Sequence, residues 1–254
     1  MPIKCAGAPQ KIMYLAHEHW KKAGVLENIE ITFCTAMPGI FSQPDYAAAL
    51  RQVCVEKGIK NIEYGNNLLE IKNGEAVFAK NVKKYDMIHV TPVQCAPDVC
   101  KESELSNETG FIDVNPKTLQ STKFDNVWAL GDCSSVPTSK TAAAVAGQNQ
   151  VLYENLVASI EGEAQPVALY DGYTSCPLVV GEDKCIMAEF NYKLQKQETM
   201  WYDQSVPSRL SYYVKAEQLP ELYWKLHCTG NWGGPRPVRE IFQTVKNYWA
   251  MSNK

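Results

Sequence analysis

Apolar and polar positions change period several times along this chain. Over Lys11 to Lys22 the spacing suits a helix that exposes Lys11, Lys21 and Lys22. Ile29, Ile31 and Phe33 then alternate with Glu30 and Thr32, the period of two that marks a strand. Helical spacing returns over Asp45 to Lys57, with Tyr46, Ala49, Leu50, Val53 and Cys54 on one face and Gly58 where a helix would end. Leu68 to Ile71 and Ala76 to Phe78 flank Asn73-Gly74, which predicts a hairpin. Tyr85 to Val90 reads as a largely apolar strand stopped by Pro92. Alternating strand and helix, with a hairpin inserted, predict an α/β fold.

In the second half, Phe111 to Val114 predicts a short strand before the Asn115-Pro116 turn, and Val127 to Leu130 another that runs into Gly131-Asp132. A long helix is expected from about Lys140 to Ile160, capped by Ser139 or Thr138. Past Gln165-Pro166, Pro177 to Val180 and Lys184 to Tyr192 predict a hairpin around Gly181-Glu182-Asp183. From Leu219 to Lys254 the chain carries Tyr223, Trp224, Trp232, Phe242, Tyr248 and Trp249 among Lys225, Arg236, Arg239, Lys246 and Lys254, broken by Gly233-Gly234-Pro235. Two readings of this tail stand side by side: an interfacial membrane anchor, and an ordinary amphipathic helix packed on the core.

Composition narrows the class. The 254 residues are 45% hydrophobic and 21% charged with a net charge of -3, which suits one or two globular domains and gives no global field for nucleic acid. No apolar run reaches the roughly 20 residues that span a bilayer. Residues 1–20 show neither a signal-peptide core nor the arginine-rich, acid-poor character of a transit peptide. Nine cysteines include no CxxC and no zinc-ligand spacing, so most are expected to be small buried hydrophobes. His17-Glu18-His19 is read as a solvated helix surface, Cys95 and Cys100 as loop thiols, and Cys133 as packing.

Two constellations could carry chemistry. The first is Gly131-Asp132 followed by Pro137 to Ala144. A carboxylate at a strand's end lies where α/β sheets bind ligands, and small residues after Lys140 would let a flat ring approach the helix's N–H groups and positive dipole end. The second is a pair of cysteines in turn-rich settings, Cys5 in Lys4-Cys5-Ala6-Gly7-Ala8-Pro9 and Cys176 in Gly172 to Pro177. Lys4 would favour a thiolate at Cys5, and two such thiols could pass electrons by thiol–disulfide exchange. Their separation in sequence leaves two unrelated thiols as an open reading.

The runs KCAGAPQK, GDCSSVPTSKTAAAVAGQ and YDGYTSCPLV, with the tail YWKLHCTGNWGGP, resemble the eukaryotic, mitochondrial type of sulfide:quinone oxidoreductase, and the likeness extends from residue 2 almost to the C-terminus. The resemblance implies the C-terminal portion of a flavoprotein with two dinucleotide-binding, Rossmann-like domains and a membrane-binding end. The division it implies is 1–110 for the second such domain, 111–165 for the returning part of the FAD domain, and 166–254 for a hairpin and an amphipathic membrane and quinone region. It further implies that Cys5 and Cys176 are the redox cysteines and that Asp132, Lys140, Thr141, Ala142 and Ala143 contact FAD. The partners would be sulfide, ubiquinone, a small sulfur acceptor such as glutathione or sulfite, and the surface of the mitochondrial inner membrane. Such enzymes open with a strand and a GxGxxG turn for the FAD pyrophosphate. No GxG occurs here, so the FAD-binding N-terminal segment is expected to be missing. A type II NADH dehydrogenase-like flavoprotein and a truncated, non-catalytic interaction module are the rival readings.

Overall fold

The computed structural model describes residue 5, residues 7–92 and residues 94–252, without the side chains of 246 and 249–252. Lys4 and Lys254 fall outside the described residues. Helix α1 spans Ala8–Lys22, three residues earlier than the apolar spacing suggests, because Pro9 suits a first helical turn, where no N–H partner is needed. Strand β1 is Thr32–Thr35, helix α2 is Pro44–Glu56 and strand β2 is Asn61–Tyr64. β1 and β2 pair in parallel with α2 as the crossover, the βαβ unit that the periodicity predicts. The strand begins later than Ile29, which instead closes a turn of 3-10 helix. On α2 the buried face is Tyr46, Ala47, Leu50, Val53 and Cys54, with Ala47 in the place expected of Ala49.

β3 (Leu68–Lys72), β4 (Glu75–Phe78) and β5 (Val82–Lys84) form an antiparallel sheet, and Asn73 and Gly74 both take positive φ in the two-residue turn. Tyr85 to Val90 is not a strand. Its apolar pattern is present, but among the described residues no strand runs beside it, and Met87 lies 65% exposed. A strand is defined by its ladder, and pattern alone does not supply one. Phe111 to Val114 and Val127 to Leu130 likewise make only isolated bridges, Ile112 to Ser106 and Ser134, Val114 to Ser121 and Trp128 to Gln120. After the single helical turn α3 (Asp98–Lys101), these segments are held by turns and by a core of Ala96, Ile112, Val114, Leu119, Ala129 and Val136.

Helix α4 runs Ala142–Glu161 and ends at Gly162 in the left-handed conformation. Its cap is Thr141, whose hydroxyl accepts from the Ala144 N–H at 3.1 Å, rather than Ser139 or Thr138. β6 (Thr174–Val179) and β7 (Cys185–Phe190) form the second predicted hairpin. The two faces of this hairpin organise the molecule. Cys176, Leu178, Ile186, Ala188 and Phe190 share a core with Met13 and Tyr14 of α1, Phe33 of β1 and Leu50 of α2. Val179, Cys185 and Met187 on the other face meet Tyr212, Val214 and Leu219 of the tail.

The tail is helical over α5 (Arg209–Tyr213), α6 (Leu219–Leu222) and α7 (Arg236–Ser252). Pro220 lacks the N–H that a helix interior needs, and wide π turns flank α6 at Val214–Gln218 and Tyr223–His227. Gly234 takes φ +97, a conformation that favours glycine, where the tail passes the backbone of Gly147 on α4. No described helix is long and apolar enough to cross a membrane.

Candidate active site around two thiols

Cys5 and Cys176 stand 171 positions apart in sequence, and the fold brings their sulfurs to 3.8 Å. Local features at both ends explain the approach. Cys5 lies just before α1, where a side chain on Gly7 would run into Leu178, so the glycine lets the helix end press on β6. Gly172 adopts φ +89 under the ring of Tyr192, turning the chain into the strand that carries Cys176. Cys176 pairs with Ala188 in the ladder and is buried, while Cys5 is half-buried.

The two sulfurs divide one proton between them unequally. The Cys5 thiol is brought down to about 6, first by the hydrogen bond from Cys176, against burial, and then by the N–H groups of Gly7 and Ala8 and the charge of Lys11. Cys176 moves well above the ordinary thiol value, because it donates that hydrogen bond and because it is buried. The charge therefore rests on Cys5 and the proton on Cys176. Burial pushes Cys34 up to about 11 and Cys185 up to about 12, and it raises Cys54 and Cys133, so Cys5 moves against the trend.

This asymmetry sets an expected pH profile. Alkylation of Cys5 by iodoacetamide should rise as the pH passes through about 6, since only the thiolate reacts. In Cys176→Ala the midpoint should move up toward the ordinary thiol value, because the largest stabilising hydrogen bond is gone. An unchanged midpoint in Cys176→Ala would assign the low value to the helix end alone.

Lys11 is half-buried rather than simply exposed. With α1 starting at Ala8, it lies in the second turn, and its charge favours the thiolate at Cys5. Pro9 was the signal that could have placed the helix end. His17 is buried rather than solvated: its Nε2 donates to the Lys57 carbonyl at 2.8 Å. Glu18 accepts from Lys57 Nζ at 2.8 Å and from the Glu182 N–H at 2.6 Å, so α1 is clamped to both α2 and the β6–β7 turn. Cys100 is buried, and Cys95 accepts from Lys101 Nζ at 3.2 Å. Cys133 is half-buried and donates to the Leu130 carbonyl at 3.2 Å.

The other sequence-marked residues gather at the amino end of α4. Asp132 is exposed on the 3-10 turn Gly131–Cys133, and Ala142 is exposed at the helix start. Lys140 turns inward: its Nζ donates to the carbonyl of Ser134 at 2.6 Å and of Gly131 at 3.4 Å, and lies 4.6 Å from the centre of the Phe111 ring. Thr141, Ala142 and Ala143 form the capped first turn, next to β6 through the 3.0 Å contact of the Thr141 and Thr174 hydroxyls.

No family model matches the chain. Against curated proteins, it is 43% identical over 255 residues to the mitochondrial sulfide:quinone oxidoreductase of Mus musculus, covering 97% of this chain and 56% of that protein. The chain belongs to the sulfide:quinone oxidoreductase family. Its identity to the mitochondrial sulfide:quinone oxidoreductase of Schizosaccharomyces pombe is 40%, over 92% of this chain and 54% of the relative. The Dictyostelium discoideum protein of the same name is also 40% identical, over 96% and 54%. The chain thus spans about half the length of these family members. Among solved structures, the sulfide:quinone oxidoreductase of Aquifex aeolicus aligns with a TM-score of 0.67 at 15% identity, over 88% of this chain and 56% of that one. A chain in the structure of the Tetrahymena thermophila mitochondrial ATP synthase aligns with a TM-score of 0.71 at 22% identity, over 88% and 57%. At these identities both establish the fold alone. The fold is α/β, of the kind found in this flavoprotein family.

Proposed function

We propose that this chain supplies the sulfide-oxidising thiol pair of a mitochondrial sulfide:quinone oxidoreductase, with FAD as its flavin and ubiquinone as its electron acceptor. The observation that carries this reading is the 3.8 Å approach of the Cys5 and Cys176 sulfurs. A type II NADH dehydrogenase needs no such pair.

The chemistry of the pair follows from its asymmetry. Starting from a Cys5–Cys176 disulfide, hydrosulfide attacks the sulfur of Cys176. The sulfur–sulfur bond breaks, Cys5 departs with the electron pair as a thiolate, and Cys176 holds a persulfide. Attack at this sulfur is favoured because the better stabilised thiolate leaves faster, and the N–H groups of Gly7 and Ala8 and the charge of Lys11 favour a thiolate on Cys5. Cys176 is buried, which restricts the attacking group to one as small as sulfide. A small acceptor such as glutathione or sulfite then takes the outer sulfur and leaves two reduced cysteines. Closing the disulfide again releases two electrons and two protons.

The residues at the amino end of α4 fit one end of a flavin. Ala142 and Ala143 leave room for a flat ring, the first N–H groups of the helix have no intrahelical partner, and Asp132 stands exposed on the adjacent turn as an acceptor for ribityl hydroxyls. Lys140 contributes by tying the carbonyls of Gly131 and Ser134 together, which fixes the loop that carries Asp132. Bound there, FAD would take up the electron pair released by the thiols and pass it to a quinone. The pyrophosphate end finds no counterpart among the described residues, because the chain has no GxG turn. Exposed Trp224, Ile241, Val245 and Tyr248 support attachment of the tail to the inner-membrane surface, where quinone resides.

The thiol reading is tested on the chain itself. After oxidation to the disulfide, one equivalent of sulfide should add one sulfur atom to the peptide carrying Cys176 and none to the peptide carrying Cys5, as read by mass spectrometry after blocking free thiols. Sulfur found on neither peptide, or on Cys5 alone, would overturn the assignment.

A further inference from the structure

We infer that the open edge of the Arg239 guanidinium holds a carbonyl oxygen of the quinone headgroup, and that Gln197 is the positioning residue that aims it. The inference rests on ubiquinone as the acceptor and names the groups of this chain that recognise it.

Arg239 lies in the first turn of α7 and is held on two sides. Its Nη1 donates to Gln197 Oε1 at 3.1 Å, and its guanidinium carbon lies 4.8 Å from the centre of the Tyr173 ring. Its Nε and Nη2 are buried and have no hydrogen-bond partner among the described residues. These two nitrogens form one edge of the guanidinium, with N–H bonds side by side. A charged donor pair shut away from water and left unmet is costly, so the edge marks a place for an acceptor.

Both supports are themselves anchored. Asp171 accepts from Gln197 Nε2 at 2.7 Å and from the Tyr173 N–H at 2.9 Å, so one carboxylate fixes the two. The Tyr173 hydroxyl donates to Glu189 Oε1 at 2.5 Å, and Glu189 in turn accepts from the Thr199 N–H at 2.6 Å and from Gln204 Nε2 at 3.0 Å. With its amide nitrogen committed to Asp171, Gln197 turns its oxygen to Arg239. Such bracing holds the open edge in one orientation.

Charge and surroundings select the ligand. Asp171, behind Gln197, and Glu189, behind Tyr173, already bring two carboxylates toward the guanidinium. A full anion therefore gains little there, and a neutral acceptor suits the edge. Phe242, one turn further along α7, packs edge-on against Trp201 at 5.1 Å, and Trp201 is 53% exposed. A flat ring that parts this aromatic pair gains stacking contacts beside the donor edge. In a ubiquinone headgroup each carbonyl is flanked by a methoxy oxygen, so the two parallel N–H groups meet two neighbouring acceptors. Glu189 pairs with Ser175, and strand alternation turns both away from the face of Cys176 and Ala188. Quinone and sulfide thus approach the hairpin from opposite faces.

The test titrates a soluble ubiquinone with a single isoprenoid unit into the chain by calorimetry. Arg239→Met is expected to weaken binding about tenfold or more, as for lost hydrogen bonds from a charged donor. Arg239→Lys keeps the charge without the side-by-side edge and should recover only part of the affinity. Gln197→Leu should weaken binding by a smaller factor than Arg239→Met. A trimethoxytoluene, which has the ring and methoxy groups without the carbonyls, should bind wild type and Arg239→Met alike. Opening of the Cys5–Cys176 disulfide by sulfide at the wild-type rate shows that each variant is folded; Arg239→Lys and Gln197→Leu carry the test if Arg239→Met is not. Equal quinone affinity in wild type and variants would overturn the inference. So would displacement of the quinone by phosphate in wild type but not in Arg239→Met, which gives the edge to an oxyanion. Both results leave the thiol chemistry standing. A wild-type chain that binds no quinone would overturn ubiquinone as the acceptor, and the role of Arg239 with it.

Discussion

Cys176→Ser is expected to lower sulfide-dependent quinone reduction by about a thousandfold or more in an enzyme that joins this chain to the N-terminal half of a relative, with flavin content unchanged. The magnitude follows from the kind of group lost. A serine at 176 can neither form the disulfide that sulfide opens nor carry the persulfide. The residues at the amino end of α4 are not altered, and the serine hydroxyl fits the space of the thiol without overpacking the core around Leu178 and Ile186. Cys133→Ser is the matched control, since Cys133 is half-buried against the Leu130 carbonyl and lies outside the 3.8 Å pair. The measurement is turnover with sulfide and a short-chain quinone, together with the flavin absorbance of each variant. Near-normal turnover in Cys176→Ser would remove the thiol pair from the reaction.

How far this site was legible in the sequence depends on the kind of information each residue carries. The two hairpins and the βαβ unit could be read because their signals are local: Asn73-Gly74, Gly181-Glu182-Asp183, and a change of period from two to that of a helix. Tyr85 to Val90 has the same kind of pattern and is no strand, because pairing is a property of two segments and periodicity describes one. Cys5 and Cys176 stood out by their turn-rich settings and by family resemblance, yet no spacing rule could bring residues 171 apart into contact; that required the core between α1 and the β6–β7 hairpin. Capping near the site differs from the expectation by a small offset, since Thr141, two residues beyond Ser139, caps α4. The charge of Lys11, on an α1 that begins at Ala8, favours the Cys5 thiolate, while Lys4 lies outside the described residues.

Replacing Ile241, Val245 and Tyr248 together by serine is expected to reduce binding of the joined enzyme to anionic liposomes by about a hundredfold. These three positions recur at the spacing of one helical face on α7, and they are 62%, 46% and 67% exposed. The opposite side of the helix is already occupied. The Arg239 guanidinium sits 4.8 Å from the centre of the Tyr173 ring and donates to Gln197 at 3.1 Å, while Phe242 packs edge-on to Trp201 at 5.1 Å. The helix is therefore docked by one face and offers an apolar stripe on another, while Arg236 is exposed and paired with Glu240. Burying a large apolar side chain stabilises by about 1.5–3 kcal/mol, and interfacial burial of three such groups reaches part of that each. A combined loss of about 3 kcal/mol corresponds to the hundredfold change. Because the docked face is left intact, the substitutions should not disturb Tyr173 or the strand it precedes, so sulfide should still open the Cys5–Cys176 disulfide at the wild-type rate. Reduction of a long-chain quinone in liposomes should fall, while reduction of a soluble short-chain analogue persists. Flotation on liposome gradients beside both quinone assays makes the decision. If the triple variant floats like the wild type, the stripe on α7 is a protein-packing face and the membrane contact lies elsewhere.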